Sequence, residues 1–212
     1  MSHDTTIHRI VRPAVRRIAP TGVTPNQLTT LRLTTGLVAA AAFAVGGPIW
    51  PRIGGVIFLL SLLLDRADGE LARQTGRSSP LGYRYDLVCD CLATVATFIG
   101  IGFGLVGSFG PGAILLGLIA GAGVCGLFWM LNVVKVAPVS TYRLWGGRIV
   151  IDTDDAMALV PVLIWCGAAK IELIAAASLT VAALLGLSLR GFLKRTATAS
   201  DEQSIDGINP PA

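Results

Sequence analysis

The sequence predicts an all-α integral membrane protein: six transmembrane helices preceded by an N-terminal amphipathic helix lying on the membrane surface. Three observations carry this. Of the 212 residues, 53% are hydrophobic and only 14% are charged, where soluble domains average about 25% charged. Six apolar segments recur, at 28–46, 53–74, 82–107, 111–135, 155–168 and 171–192, against the ~20 residues a bilayer crossing needs. The basic residues also fall almost entirely on one side of that layout.

In chain order, residues 1–5 are polar. Over 6–19, Ile7, Ile10, Val11, Val15 and Ile18 alternate with Arg9, Arg12, Arg16 and Arg17 at helical spacing. That pattern predicts an interfacial helix on an anionic membrane, with Pro13 as a kink point. A basic flank that merely orients the first span is the simpler reading of the same arginines. No cleavable signal is expected, because the N-terminus is polar and basic and the first long apolar run starts near Leu31. The fifth segment is short and holds Pro161, with Asp154 or Asp155 placed to cap its start. Residues 196–212 are polar, end in Pro-Pro-Ala and read as a disordered tail. No repeat or second domain interrupts the chain, so 1–212 reads as one membrane domain with the six-span bundle over 28–192. Cys89, Cys91, Cys125 and Cys166 lie in apolar runs with no pairing pattern. They read as small buried hydrophobes rather than as disulfide partners or zinc ligands. His3 and His8, the only histidines, argue against a histidine metal site.

With an even number of spans, both termini share one side. Fifteen of the seventeen Lys and Arg residues fall on that side, leaving Arg52 and Lys170 on the other. The positive-inside rule then puts the termini, and the loops after the second and fourth spans, in the cytoplasm.

The acids are placed unusually. Asp65, Asp68 and Glu70 end the second span, and Asp86 and Asp90 begin the third. A carboxylate at the centre of a span costs roughly 2.5–3.5 kcal/mol on insertion scales, so four of them need compensation. Asp65 and Asp68 share one helix face, as do Asp86 and Asp90. The two helices are antiparallel neighbours joined by a short loop, 74–81. Asp65 lies eight residues before Arg73 and Asp90 eight after Gly82, each about 12 Å inward at 1.5 Å per residue. Asp68 and Asp86 lie about 6–8 Å inward by the same rise. The four carboxylates can therefore meet in one layer in the cytoplasmic half of the membrane. Four negative charges are matched by two divalent cations, and all-oxygen ligands favour magnesium, with manganese or calcium also compatible. Arg66 and Arg73 are local candidates for part of the neutralisation. A buried ion-pair cluster without metal is the alternative. Gly69, Ala72 and Gly82, on the acidic face, leave room beside the metals or let helices pack closely.

Residues 65–90 read DRADGELARQTGRSSPLGYRYDLVCD. This resembles the signature of the CDP-alcohol phosphotransferases: D-x-x-D-G-x-x-A-R, eight residues, then G-x-x-x-D-x-x-x-D. Asp65, Asp68, Gly69, Ala72, Arg73, Gly82, Asp86 and Asp90 fill every fixed position. The segment TPNQLTTLR at 24–32 is similar to that family's lead into its first span. The resemblance implies that Asp65, Asp68 and Asp86 hold one metal ion and that Asp65, Asp86 and Asp90 hold or approach a second. It implies that Gly69, Ala72 and Gly82 admit the CDP group, that Arg73 helps hold the nucleotide together with Asp68, and that Asn26 and Thr29 are further nucleotide contacts. Asp90 would be the general base. The donor would be a CDP-linked lipid, the product side would release CMP, and the chain would be a homodimer facing the cytoplasm. Membrane lipids and a small alcohol are the expected partners; nucleic acid is not.

The acceptor is less legible. Lys135, Arg143 and Arg148 surround the fourth and fifth spans, and Arg190, Lys194 and Arg195 end the sixth. Arg143, Arg148, Arg190 and Lys194 could bind a phosphate on a polyol such as glycerol 3-phosphate or inositol phosphate; positive-inside anchoring explains them as well. Serine or choline acceptors stay open. Asp152, Asp154 and Asp155 serve equally as caps or as hydroxyl ligands. Two non-enzymatic rivals are a cation transporter and a CDP-lipid-binding scaffold. An ion path would distribute its acids through the bilayer rather than cluster them at one depth, and a scaffold would have little reason to keep Asp90.

Overall fold

The computed structural model describes residues 6–134, 141–144 and 149–206. Among the described residues, eight α-helices run in chain order: α1 (Thr6–Ile18), α2 (Pro25–Val45), α3 (Trp50–Thr75), α4 (Pro80–Gly104), the short α5 (Val106–Phe109), α6 (Gly112–Asn132), α7 (Leu159–Trp165) and α8 (Ala169–Asp206). Four of them are long and apolar enough to cross a membrane: α2, α4, α6 and residues 169–190 of α8. α3 has the length, but its second half carries Asp65, Arg66, Asp68, Glu70 and Arg73.

Local chemistry sets the helix starts that matter. Thr24 caps α2: its hydroxyl accepts from the Gln27 backbone N–H while the Gln27 side chain accepts from the Thr24 N–H. Pro25 follows at the first helical position, where its missing N–H costs nothing. Ser79 and Pro80 repeat the arrangement at α4, with the Ser79 hydroxyl accepting from the Gly82 N–H at 3.0 Å. α3 stops at Gly76, whose φ of 66° is left-handed. The α3–α4 turn is therefore short and stiff, and it fixes the register of the two acidic helices.

α2 packs against α3 and α4, α4 against α6, and α6 against α8. Small residues permit the approach. A Cβ on Gly100 would collide with the Ala40 carbonyl oxygen of α2, and one on Gly117 with the Phe98 carbonyl oxygen of α4. The main core gathers Phe43, Phe58, Phe98, Ile101, Val160 and Leu173. Large apolar side chains such as Leu37, Val56, Leu115 and Leu179 point outward, as suits a protein surrounded by lipid.

Several expectations are corrected. The all-α class holds, and a short ribbon is added to it: β1 (Thr141–Leu144) and β2 (Ile149–Asp152) pair antiparallel, Thr141 opposite Asp152. The β-branched run Ile149-Val150-Ile151 favours a strand, and its shortness hid it beside a long apolar segment. The fifth segment forms a 3-10 turn over Thr153–Ala158 and then only seven α-helical residues. Asp154 and Asp155 lie inside that turn, and no side chain caps α7. α8 continues as helix to Asp206 rather than ending near 195. Residues 196–206 contain neither Pro nor Gly and include Ala, Glu and Gln, all compatible with helix. Cys91 and Cys125 form a disulfide between α4 and α6, with Cα atoms 5.3 Å apart, while Cys89 and Cys166 are free. Glycine-mediated packing brings those two helices together, which spacing along one helix does not reveal. Finally, α1 lays Val11 and Val15 against Leu28, Ala67 and Leu71, so part of its apolar stripe is spent on protein contacts.

Candidate active site

Asp65 and Asp90 each lie ten residues from the α3–α4 turn, counted from Thr75 and Pro80, about 15 Å deep at the helical rise. The helices hold them level. One carboxylate oxygen each from Asp65, Asp86 and Asp90 lies within 4.8 Å of the others. Asp68, one turn along α3, is buried and accepts a hydrogen bond from the Thr29 hydroxyl at 2.7 Å.

A guanidinium stands among these acids. Arg32 of α2 is buried; its Nε lies 3.5 Å from Asp65 Oδ1, and its Nη1 pairs with Asp90 Oδ1. Arg66 Nη1 approaches Asp65 Oδ2 at 3.9 Å. Arg73 turns elsewhere: its Nη2 donates to Glu70 Oε2 at 2.7 Å. The expectation that Arg73 shares in neutralising the aspartates therefore gives way to Arg32. That role was overlooked in the sequence, although a signal existed. Arg32 is the only charged residue in 28–46, and it lies three positions from Thr29, on the same face.

The acids suit a hard cation. Asp86 Oδ1 is buried without a hydrogen-bond partner among the described residues, an expensive state unless charge compensates it. The converging donors are all carboxylate oxygens, the set preferred by magnesium, manganese or calcium. The acidic cluster can thus hold a divalent ion.

At the starts of α2 and α4, a Cβ on Gly82 would stand 3.2 Å from Asn26 Oδ1 and 3.0 Å from Ser79 Oγ. Gly82 and Asn26 thus meet where α2 and α4 begin. A Cβ on Gly69 would stand 3.7 Å from Arg73 Nη1. Ala72 lies on the same α3 segment. Thr30 and Tyr85 hydroxyls bond at 2.9 Å across the same end.

A cavity of about 400 Å³ opens on the other flank of the cluster. Arg32, Asp65, Arg66 and Asp90 line it, whereas Asp68, Gly69, Arg73 and Gly82 do not. Its remaining wall is mostly apolar, from α3, α4, α6, α7 and α8, and includes the Cys91–Cys125 bridge and Glu172. Both Glu172 oxygens are buried, with no hydrogen-bond partner among the described residues. Of the expected acceptor residues, Arg143 lies on β1 and Arg190 is exposed on α8, with Lys194 one turn further on. β2 contacts α1, which brings the ribbon to the acidic end of the bundle. Arg148 lies outside the described residues.

Comparison with known proteins adds the following. The model of a family described as CDP-alcohol phosphatidyltransferase matches residues 22–186. The chain is 33% identical over 102 residues to the archaetidylinositol phosphate synthase of Pyrococcus horikoshii, a stretch covering 44% of this chain and 53% of the archaeal one. It is 36% identical over 89 residues to cholinephosphotransferase 1 of Danio rerio, covering 38% and 23%. It is 28% identical over 93 residues to the phosphatidylinositol phosphate synthase of Mycobacterium marinum, covering 44% and 39%. The chain spans about half the length, or less, of these curated relatives. Among solved structures, it superposes on the phosphatidylinositol phosphate synthase of Mycobacterium tuberculosis with CDP-DAG bound at a TM-score of 0.65 and 19% identity, covering 84% of this chain and 91% of that one. The same enzyme in complex with manganese and citrate gives 0.62 at 18% identity, covering 81% and 83%. These two likenesses establish a shared fold.

Proposed function

The chain belongs to the CDP-alcohol phosphatidyltransferase family, and from that premise we propose that it transfers the substituted phosphate of a CDP-linked lipid to a small alcohol and releases CMP. The observation that carries the reading is the convergence of Asp65, Asp86 and Asp90 at the centre of a complete D-x-x-D-G-x-x-A-R…G-x-x-x-D-x-x-x-D pattern.

The donor's nucleotide lies along Asn26, Gly69, Ala72, Arg73 and Gly82, where small residues leave room at the ends of α2, α3 and α4. Thr29 keeps Asp68 oriented for this site. The acceptor approaches from the cavity side, where Asp90 is accessible and the nucleotide residues are not. Its hydroxyl oxygen attacks the phosphorus that bears the lipid, and the phosphorus–oxygen bond to CMP breaks. CMP leaves with the bonding pair, and Asp90 takes the hydroxyl proton. Two magnesium ions held by Asp65, Asp68, Asp86 and Asp90, with manganese as a substitute, would neutralise the diphosphate and the developing charge on CMP. Arg32 holds Asp65 and Asp90 in place and reduces the net charge of the cluster. Ser61 and Cys91 line the cavity, but the Ser61 hydroxyl donates to the Arg32 carbonyl and Cys91 is in a disulfide, so direct displacement is the simpler course.

The acceptor we favour is a phosphorylated polyol, glycerol 3-phosphate or an inositol phosphate, with Arg143, Arg148, Arg190 and Lys194 meeting its phosphate. Two relatives, named as an archaetidylinositol phosphate synthase and a phosphatidylinositol phosphate synthase, support this. The choline-type relative keeps an unphosphorylated acceptor as the alternative. In the membrane, α3 and the 156–165 segment complete six spans with α2, α4, α6 and α8. The basic end, with both termini, faces the cytoplasm. α1 lies along that surface with Arg16 and Arg17 toward anionic lipid, the domain is continuous, and the protein works as a homodimer.

The test is CMP release from CDP-diacylglycerol with magnesium and a panel of alcohols. Release with a phosphorylated polyol and a loss of at least ~100-fold in Asp90→Asn, the usual scale for removing a general base, are expected. No release with any acceptor sinks the enzyme reading; full activity in Asp90→Asn removes Asp90 as the base.

A further inference from the structure

Glu70 fills a variable position of the D-x-x-D-G-x-x-A-R pattern, so nothing in that pattern gives it a task. The structure buries it, at 6% exposure, near the basic end of α3. Both oxygens are used. Oε2 accepts from Arg73 Nη2 at 2.7 Å, and Oε1 accepts from Gln74 Nε2 at 2.9 Å. Arg12 of α1 brings its Nε to 3.4 Å from the same Oε1.

This carboxylate has a consequence for Arg73. An arginine near a helix end ordinarily samples many rotamers. Here the Glu70 bond holds one terminal nitrogen, and the other, Nη1, lies 3.7 Å from where a Cβ on Gly69 would stand. The guanidinium is held over the gap that Gly69 leaves beside Asp68. We infer that Glu70 is a positioning residue for the donor's nucleotide: it fixes Arg73 over Gly69 and, through Arg12, ties that arginine to the docking of α1. The inference rests on the reading that Arg73 holds the nucleotide.

Two effects of Glu70 oppose each other, and their balance sets the sign. Its negative charge repels a diphosphate. Its bond spares Arg73 the ordering that binding would otherwise demand. Arg12 and Arg73 both lie against this carboxylate, so the local sum is one positive charge and the repulsion is largely cancelled. Pre-organisation wins. Losing it for one long side chain weakens binding by about three- to tenfold.

Kinetics with CDP-diacylglycerol as the varied substrate, at saturating acceptor and magnesium, test this. Glu70→Ala is expected to raise the donor KM about three- to tenfold with kcat held within about twofold, the signature of lost ground-state binding. Glu70→Gln keeps the shape and one acceptor oxygen, so its rise is smaller, roughly two- to threefold. Because Glu70 acts through Arg73, Glu70→Ala adds less than about twofold in an Arg73→Ala background. A merely structural role would instead lower kcat and KM effects together and add in full to Arg73→Ala. Thermal melts in detergent check folding; if Glu70→Ala does not fold, Glu70→Gln and its cycle with Arg73→Ala carry the test. A donor KM that is unchanged or lower in the Glu70 variants, or full additivity in the cycle, overturns the inference. Arg73→Ala alone separates the two levels: no rise in donor KM there would overturn the nucleotide reading of Arg73 itself, whereas a rise there with none in the Glu70 variants overturns only the role of Glu70.

Discussion

Replacing Arg32 with methionine would remove a guanidinium that touches both Asp65 and Asp90 while keeping an apolar stem in the packed interior. At 3.5 Å from Asp65 Oδ1, and with an effective dielectric constant near 20, the gross attraction is about 5 kcal/mol. The contact with Asp90 adds a similar contribution, and the burial of Arg32 offsets part of both. Breaking a buried pair by removing one partner costs about 3–5 kcal/mol net, so that is the destabilisation expected in EDTA. Magnesium should reverse much of it. A cation at 100 times its dissociation constant adds about 2.7 kcal/mol. In the wild type, Arg32 competes for the same two carboxylates, Asp65 and Asp90, so the gain there is smaller. The assay is thermal unfolding in detergent, followed by tryptophan fluorescence, in EDTA and across a magnesium titration. Arg32→Met should melt well below wild type in EDTA and show the larger magnesium-induced rise. Equal magnesium responses in the two proteins would refute the idea that Arg32 and the cation share ligands. An undiminished melting temperature in EDTA would refute the electrostatic role altogether.

Three further substitutions test packing and burial. Gly100→Leu puts a side chain where even a Cβ meets the Ala40 carbonyl; a loss of at least ~1–3 kcal/mol is expected from overpacking, while Gly107→Leu, with nothing within 4 Å of its Cβ, should melt like wild type. Glu172→Leu removes a buried carboxyl that has no hydrogen-bond partner among the described residues and should stabilise the fold by about 1–3 kcal/mol in thermal melts; a lower melting temperature would mean that the carboxyl has a partner it depends on.

The acidic layer was legible because one short turn fixes the register of its two helices. Counting from 74–81 placed Asp65 and Asp90 level, and the structure brings their carboxylates together with Asp86. The α1 helix was legible from its spacing, but the contacts of Val11 and Val15 were not, because an apolar stripe fits lipid and protein alike. The β1–β2 ribbon and the shortness of α7 stayed hidden for a different reason. Residues 133–158 separate α6 from α7 by a stretch too long in sequence for a register to be counted across it.

Two features that were overlooked obey the same counting. α2 and α3 meet at the Gly46–Ile49 turn; Arg32 lies thirteen residues before Val45 and Asp65 fifteen after Trp50, so their depths agree within about 3 Å. Cys91 lies thirteen residues before Gly104 and Cys125 thirteen after Gly112, again level. Turn-based counting therefore reaches both the Arg32 pairing and the Cys91–Cys125 bridge in depth. What it lacks is azimuth, the face of each helix turned to its neighbour. Glycines supply that information for α4. Gly100 admits the Ala40 carbonyl and marks the face toward α2, while Gly121 lies against Val95 and marks the face toward α6. Asp90 lies ten residues before Gly100 and Cys91 four before Val95. At 100° per residue these offsets come to about 1000° and 400°, each within roughly 80° of a whole number of turns. Adjacent residues of one helix thus serve different neighbours: Asp90 meets Arg32 of α2, and Cys91 meets Cys125 of α6. Depth can be counted from the turns alone, whereas the neighbour each glycine faces is a property of the folded helices, so the pairing of Arg32 with the aspartates needed both.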